Sequence, residues 1–152
     1  MPQAWRIVRS LHFQSAFTGE GAARYGGRWN SRGRPVVYTS WSKSLAALEI
    51  LVHLNPPLPF RYVSVQIEFE ERLVTRLVSS ALPLDWRLEP PPQSTKQVGD
   101  AWLRARESAI LAVPSVIIPD ETNYLLNPGH PEFQDISFGQ PEPFMFDPRL
   151  LA

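Results

Sequence analysis

The chain has 152 residues, a formal net charge of zero, 16 prolines and no cysteine. This length predicts one domain, residues 1–152, with a substantial core. The neutral charge argues against a nucleic-acid-binding surface, and the lack of cysteine excludes disulfides and thiolate metal sites. The many prolines argue against a helical bundle.

The N-terminal segment has no long apolar run, so we expect neither a signal peptide nor a membrane span, and a cytoplasmic location. Residues Ala4 to Val8 are apolar except for Arg6, which predicts a first strand. Residues Ser10 to Ala23 show little periodicity and are expected to form a loop.

A glycine-rich loop and a short strand follow. Glycines flank Arg28 and Trp29, and they allow the backbone to approach a ligand closely. The Arg28 guanidinium can bind phosphate or carboxylate with two hydrogen bonds, and the rings of Trp29 and Tyr25 offer faces for stacking. The strand from Pro35 to Thr39 contains Tyr38. Each feature alone also fits a turn, a solvated arginine or a core tyrosine.

The segment from Ser42 to Leu54 is predicted to be a helix with Ser42 as its N-cap. Glu49 lies within an apolar face, and most of the helix surface is apolar, so we expect a buried helix. The apolar residues concerned are Leu45, Leu48, Ile50, Leu51, Val52 and Leu54. A carboxylate in such a place is paired, protonated or lining a cavity. The structural alternative is a buried ion pair between Glu49 and Arg28.

The middle of the chain alternates between strand and proline-rich loop. Residues Asn55 to Pro59 are expected to stop the helix, and Tyr62 to Phe69 alternate as a strand does. Residues Leu73 to Leu82 fit either strand or turn. Residues Leu84 to Gln97 are predicted to be a proline-rich surface connector.

The last third predicts a second helix and several short strands. Asp100 is the expected N-cap of a helix from Ala101 to about Leu111. Pro114 should end that helix and open a buried strand from Ser115 to Ile118. Further strands are predicted at 124–126, 135–138 and 143–146. Many short strands with two helices indicate an α+β domain.

Five residues in five short motifs resemble those of the RES-domain family, the toxins of RES–Xre toxin–antitoxin pairs. The matches are Arg28 in GGRWN, Tyr38 in VVYTS, Glu49 in ALEILVHL, Ser115 in AVPSVIIP and Asn123 in NYLLNPGHPEF. The resemblance covers the chain from Trp5 to about Phe146. It implies a fold related to bacterial ADP-ribosyltransferases, with small mixed or antiparallel sheets around an NAD cleft.

The resemblance also implies roles for these residues in cleaving the nicotinamide–ribose bond of NAD. Glu49 would stabilise the positive charge that grows on the ribose, and Arg28 would bind the pyrophosphate or the adjoining ribose. Tyr38 would stack on the nicotinamide ring or lie beside it. Ser115 and Asn123 would bind the ligand or hold Glu49 and Arg28. Trp29 is a further candidate for the NAD-binding wall, and no metal or cofactor is expected besides NAD as substrate.

Three acceptors of ADP-ribose stay open: water, phosphate or a protein side chain. Arginine-modifying transferases often carry a second acidic or amide residue two positions before the catalytic glutamate, where this chain has Ala47. The absence of that residue favours NAD breakdown without a protein acceptor. The implied partner is an Xre-like antitoxin that carries the DNA-binding domain, and self-association as a homodimer is a further possibility. The rival functions are protein ADP-ribosylation, a catalytically inactive interaction module, and a ribonuclease, which would need a basic groove.

Overall fold

The computed structural model describes residues 1–53 and 61–151, so the predicted helix stop from Asn55 to Pro59 lies outside the described residues. The α-helices are α1 (Glu20–Tyr25), α2 (Lys43–Leu51) and α3 (Gln93–Ala105). The strands are β1 (Gln3–Arg9), β2 (Val37–Ser40), β3 (Tyr62–Glu68), β4 (Val74–Arg76), β5 (Ile110–Pro114), β6 (Thr122–Leu126), β7 (Ser137–Phe138) and β8 (Glu142–Phe144). Short 3₁₀ helices span Ser10–Ser15, Glu71–Leu73, Ser79–Ala81, Pro131–Asp135 and Pro148–Leu151.

The strands join into one mixed sheet in the order β4-β5-β6-β2-β1-β3-β7, with β8 also paired to β3. The β4–β5 pair is parallel, and the other described pairs are antiparallel. This confirms the predicted α+β class. The described strands form one mixed sheet, where the family resemblance implied two small sheets.

Both faces of the β5–β6 pair are covered. Ile110 and Leu126 belong to one core cluster, whereas Leu111 and Leu125 belong to another. Because side chains alternate along a strand, these neighbours point to opposite faces of the sheet. The second cluster contains Trp29 and Trp102, so it joins the glycine-rich loop to α3. A third cluster packs α2 against β1 and β3, through Ile7, Ala46 and Tyr62 among others.

Helix α2 begins as predicted but is less buried than predicted. The Ser42 hydroxyl accepts a hydrogen bond from the Leu45 amide at 3.1 Å, which confirms the N-cap. Within the helix only Leu45 and Ala46 are buried, Glu49 is half-buried, and Val52 beyond the last turn is 59% exposed. The prediction of a helix buried on most sides is therefore wrong, because α2 packs on β1 and β2 and also borders a cavity.

The predicted boundaries of the second helix are also wrong. Helix α3 starts at Gln93, so Asp100 lies inside the helix and is not its cap. The helix ends at Ala105, and Ile110–Pro114 forms strand β5, so Ser115 follows a strand and does not begin one. The end of the predicted connector, from Gln93 to Gln97, is the first part of α3, and its polar residues belong to an amphipathic helix. Pairing with β4 and β6 settles the conformation of β5.

Other differences concern short elements. The predicted loop from Ser10 to Ala23 contains a 3₁₀ helix and the start of α1, and neither element buries a residue, which explains the weak periodicity. The ambiguous stretch from Leu73 to Leu82 holds β4 and a short 3₁₀ helix. Within residues 1–53 and 61–151, no helix is long and apolar enough to cross a membrane.

Gly99 lets α3 approach the glycine-rich loop, and its substitution should be costly. A Cβ atom on Gly99 would lie 1.6 Å from the Trp29 carbonyl oxygen, a clash with backbone that side-chain motion cannot relieve. We expect Gly99→Ala to lower the free energy of unfolding by about 3 kcal/mol, measured by urea denaturation. Gly21→Ala is the control, because a Cβ there meets nothing within 4 Å. Equal stability of both variants would contradict the close contact.

Candidate active site

A cavity of about 1000 Å³ opens between α2, the glycine-rich loop and the proline-rich segment before α3. This volume lies at the upper end of the range of roughly 300–1000 Å³ found for small-molecule sites. Its charged and polar lining includes Arg6, Arg28, Tyr38, Glu49, His53, Glu89 and Asn123. The first half and the last third of the chain thus contribute to the same cavity.

Glu49 is held by two side-chain donors on one of its oxygens. Ser115 Oγ donates to Oε1 at 2.9 Å, and Asn123 Nδ2 donates to the same atom at 2.8 Å. Asn123 is itself oriented by Ser40, whose hydroxyl donates to Asn123 Oδ1 at 2.8 Å. Oε2 has no hydrogen-bond partner among the described residues, so it is the oxygen that a ligand can reach.

The structural alternative of a Glu49–Arg28 ion pair is absent from the described residues, where Arg28 pairs with Glu89. Ser115 has no exposed surface, and its hydroxyl also accepts hydrogen bonds from the amides of Ile117 and Ile118. It therefore lies behind Glu49 and influences the cavity through that carboxylate. Asn123 lines the cavity directly.

Tyr38 presents its ring to the cavity while its hydroxyl is engaged in the protein. The hydroxyl donates to Asn30 Oδ1 at 2.6 Å and accepts from the Trp29 amide at 3.1 Å. Burial raises the pKa of the Tyr38 hydroxyl well above its usual range, so the phenol stays protonated at physiological pH. Gly27 makes room for this hydroxyl, since a Cβ there would lie 2.6 Å from it. Tyr38 can therefore offer an aromatic face but no readily transferable proton.

Arg28 is bound by the segment before α3. Its Nη1 donates to the carbonyls of Trp86 and Leu88 at 2.9 and 2.8 Å, and its Nη2 donates to Glu89 Oε2 at 2.7 Å. The Arg28 side chain is only 12% exposed, whereas that of Glu89 is 60% exposed. The guanidinium therefore borders the cavity with one carboxylate partner at its rim.

Helix α3 fixes the glycine-rich loop from behind. Lys96 Nζ donates to the Gly27 carbonyl at 2.7 Å, and Asp100 accepts from both the amide and the hydroxyl of Ser31. Lys96, Gly99 and Asp100 lie on one face of the helix, as their spacing of three and four residues requires. This face determines where the loop, and hence Arg28, stands.

Arg6 is a site residue that the sequence prediction missed. It lines the cavity from strand β1, and its Nη1 donates to the Tyr38 carbonyl at 2.7 Å. Its Nε is buried and finds no hydrogen-bond partner within residues 1–53 and 61–151. Burial lowers the pKa of Arg6 to about 10, so the side chain is still charged at neutral pH. A charged residue within the apolar sequence AWRIV was the available signal.

The remaining candidates take peripheral places. Trp29 belongs to the cavity lining, but it is 3% exposed and packs in the core with Trp102, so it offers a ligand little surface. Tyr25 is 71% exposed at the rim of the cavity, and His53 is exposed on the same lining. Among the described residues, no group of three histidine or acidic side chains is placed to hold a metal ion.

The contacts of Ser115 give a further testable prediction. Ser115→Ala removes a donor to Glu49 and leaves two amides without their acceptor, so we expect a loss of about 2 kcal/mol in the free energy of unfolding. For the NAD cleavage that the family resemblance implies, we also expect about a tenfold loss of turnover, because Glu49 loses one of its two hydrogen-bond donors.

Ser108→Ala is the matched control for that change. Ser108 is buried, accepts from Trp102 Nε1 at 3.0 Å and donates to the Ile110 carbonyl at 2.8 Å, and it does not line the cavity. It should lose similar stability, measured by denaturation, and none of the turnover measured in the same NAD assay. If both variants lose the same turnover, Ser115 has a purely structural role.

The fold and site together define a class: an α+β protein with a preorganised carboxylate and two arginines around one deep cavity. Comparison with known proteins gives the family. The model of the RES domain matches residues 3–147, and so the chain belongs to the RES-domain family.

The curated relatives support the same assignment. The chain is 43% identical over 148 residues to a protein named Toxin Res from Yersinia enterocolitica, covering 96% of this chain and 97% of the relative. It is 39% identical over 153 residues to the Prs ADP-ribosylating toxin from Sphingobium sp., covering 97% and 95%. Among solved structures, a chain of the M. tuberculosis MbcT–MbcA toxin–antitoxin complex has a TM-score of 0.77 at 18% identity, covering 93% of this chain and 83% of that one, which shows the shared fold.

Proposed function

We propose that this protein is the toxin of a toxin–antitoxin pair and that it binds NAD and cleaves the bond between nicotinamide and ribose. The ADP-ribose is transferred to water or phosphate, and the loss of NAD arrests growth. The observation that carries this proposal is the position of Glu49, a carboxylate oriented by two donors, with one oxygen free, in a cavity that also holds two arginines.

Glu49 supplies the electrostatic part of the reaction. As the nicotinamide leaves, positive charge grows on the ribose, and a fixed carboxylate in a partly desolvated cavity stabilises it. Ser115 and Asn123 bind Oε1, so the orientation is set before substrate arrives. Oε2 can accept a hydrogen bond from a ribose hydroxyl and face the developing charge.

The two arginines account for the anionic part of the substrate. Guanidinium groups bind phosphate oxygens through pairs of hydrogen bonds, and both Arg6 and Arg28 line the cavity. The partly unsatisfied Arg6 has no carboxylate within ion-pair distance among the described residues, which leaves its charge for a ligand. Tyr38 contributes its ring beside the nicotinamide, since its hydroxyl is already engaged.

The partner we propose is an antitoxin, and by the family resemblance an Xre-like protein that covers the cavity. Support comes from the relatives named Toxin Res and from the toxin–antitoxin complex that shares the fold. The formal net charge of zero agrees with DNA binding by the antitoxin and not by this chain.

A second candidate function is the ADP-ribosylation of a cellular protein. The Sphingobium relative, 39% identical over nearly its whole length, is named as an ADP-ribosylating toxin. The same site would serve both reactions, because cleavage of the nicotinamide–ribose bond precedes transfer in each. The acceptor then separates the two candidates.

The test is to incubate the purified protein with NAD, with and without inorganic phosphate, and to separate the products by chromatography. We expect nicotinamide release, with ADP-ribose or its 1″-phosphate as the second product. If NAD stays intact in both mixtures, labelled NAD and cell extract are used to look for a modified protein. Absence of label would refute both functions and favour the inactive interaction module.

A further inference from the structure

We infer that Glu89 occupies the anion-binding position of Arg28 in the free protein and that a phosphate of the incoming substrate takes its place. This inference rests on the proposed function for the identity of the substrate, and it concerns a residue outside the motifs that suggested that function. It makes Glu89 a residue that controls substrate affinity.

The first argument is the way Arg28 is held. Nη1 is held by two backbone carbonyls, those of Trp86 and Leu88, whereas the carboxylate of Glu89 takes Nη2. The carbonyls carry no net charge, so Glu89 is the one partner of Arg28 in the described structure that mimics an anionic ligand. Carboxylate and phosphate oxygens are alternative partners for the same guanidinium edge.

The second argument is that the carbonyl contacts do not depend on Glu89. Trp86 packs against the core cluster that contains Trp29 and Trp102, and Arg87 donates to the Val116 carbonyl at 3.1 Å. The segment is therefore attached at two other points. The carboxylate of Glu89 can leave Arg28 by a side-chain rotation while the arginine stays in place.

The third argument is position. Glu89 lies in the lining of the same cavity as Arg28 and Glu49, together with Pro90 and Pro91. A substrate phosphate that reaches Arg28 must come close to the Glu89 carboxylate, and like charges repel. The Glu89 side chain is 60% exposed, so water solvates its carboxylate readily once it leaves Arg28. Replacing Glu89 by a phosphate on Arg28 therefore costs little free energy.

The test uses the full chain with Glu89→Gln, which keeps the size of the side chain and an oxygen acceptor for Nη2 but removes the charge. We expect the Kd for inorganic pyrophosphate, measured by calorimetry, and the KM for NAD both to fall about threefold, with kcat unchanged. A purely structural role of Glu89 would not separate KM from kcat in this direction. In an Arg28→Gln background, Glu89→Gln should have a smaller effect on pyrophosphate binding, because it then relieves only charge repulsion and no competition for the guanidinium.

Glu71→Gln is the matched control. Glu71 pairs with Arg76 and has a similar exposure of 57%, but neither residue lines the cavity. An unchanged or increased pyrophosphate Kd in Glu89→Gln would overturn the inference. Tighter pyrophosphate binding without any consumption of NAD would support the inference while refuting the proposed function, so the two failures are distinguishable.

Discussion

Glu49→Gln is expected to lower the turnover of NAD at least 100-fold. Removing one preorganised group that stabilises transition-state charge typically costs a factor of about 10²–10³. The neutral amide can still accept a hydrogen bond from a ribose hydroxyl, so we expect the Kd for NAD to change little. The loss should therefore appear in kcat and not in KM.

The stability of this variant is expected to match that of the wild type. Ser115 and Asn123 both donate to Oε1, and the amide oxygen of glutamine can occupy that position and keep both hydrogen bonds. The amide nitrogen then takes the place of Oε2, which has no partner among the described residues. The free energy of unfolding should change by less than about 1 kcal/mol, measured by urea denaturation.

The control for the charge is Glu68→Gln, at the exposed end of β3. It should leave both turnover and stability unchanged. Turnover of Glu49→Gln within tenfold of the wild type would remove Glu49 from the chemistry. A large loss of stability, with no NAD consumed by either the wild type or the variant, would favour the inactive interaction module.

The local features of the site were predictable from sequence because their causes are local. The N-cap at Ser42 and a carboxylate inside an apolar helix depend on residues a few positions apart. Those signals placed Glu49 beside a cavity or in an ion pair, and the structure gives it hydrogen bonds from Ser115 and Asn123 and a place in the cavity lining. The roles of these residues toward NAD stay predictions.

The features that the sequence did not reveal arise from distant contacts. Asp100 is a residue type that commonly caps helices, yet it lies inside α3. Its carboxylate instead accepts a hydrogen bond from Ser31, 69 positions away in the chain. Glu89 reads as part of a connector until the fold brings Arg28 against it, 61 positions away. In the sequence, Arg6 appears only as a charged residue within an apolar strand. Its place in the site depends on strand β2, where the Tyr38 carbonyl accepts its hydrogen bond.

Arg6→Met is expected to lower NAD turnover at least 100-fold with little change in stability. The guanidinium is the one charged group that β1 contributes to the cavity lining, and its loss removes a cation from the proposed phosphate site. Removing a buried arginine from an ion pair usually costs about 3–5 kcal/mol, because a carboxylate is left without its partner. Removal of Arg6 leaves only the Tyr38 carbonyl without its partner, and the lost hydrogen bond contributes about 1 kcal/mol.

The lowered pKa of Arg6 shows that burying its charge makes an unfavourable contribution to the free energy of folding. Burial lowers the pKa to about 10, so the folded protein holds this proton less firmly than the unfolded chain does. The charge therefore opposes folding at neutral pH, and the group's contribution to stability becomes more favourable as the pH rises above about 10. Methionine removes this cost, which offsets the lost hydrogen bond, and the net change should stay within about 1 kcal/mol.

Denaturation curves and NAD turnover of Arg6→Met, Arg6→Lys and Arg76→Met test this prediction. Arg76 pairs with Glu71 away from the cavity, so its replacement should leave turnover unchanged. The lysine variant keeps the charge but loses the planar fork, and it should recover part of the turnover. A loss of about 3 kcal/mol or more in Arg6→Met, with turnover retained, would make Arg6 a structural residue and leave Arg28 as the only arginine of the site.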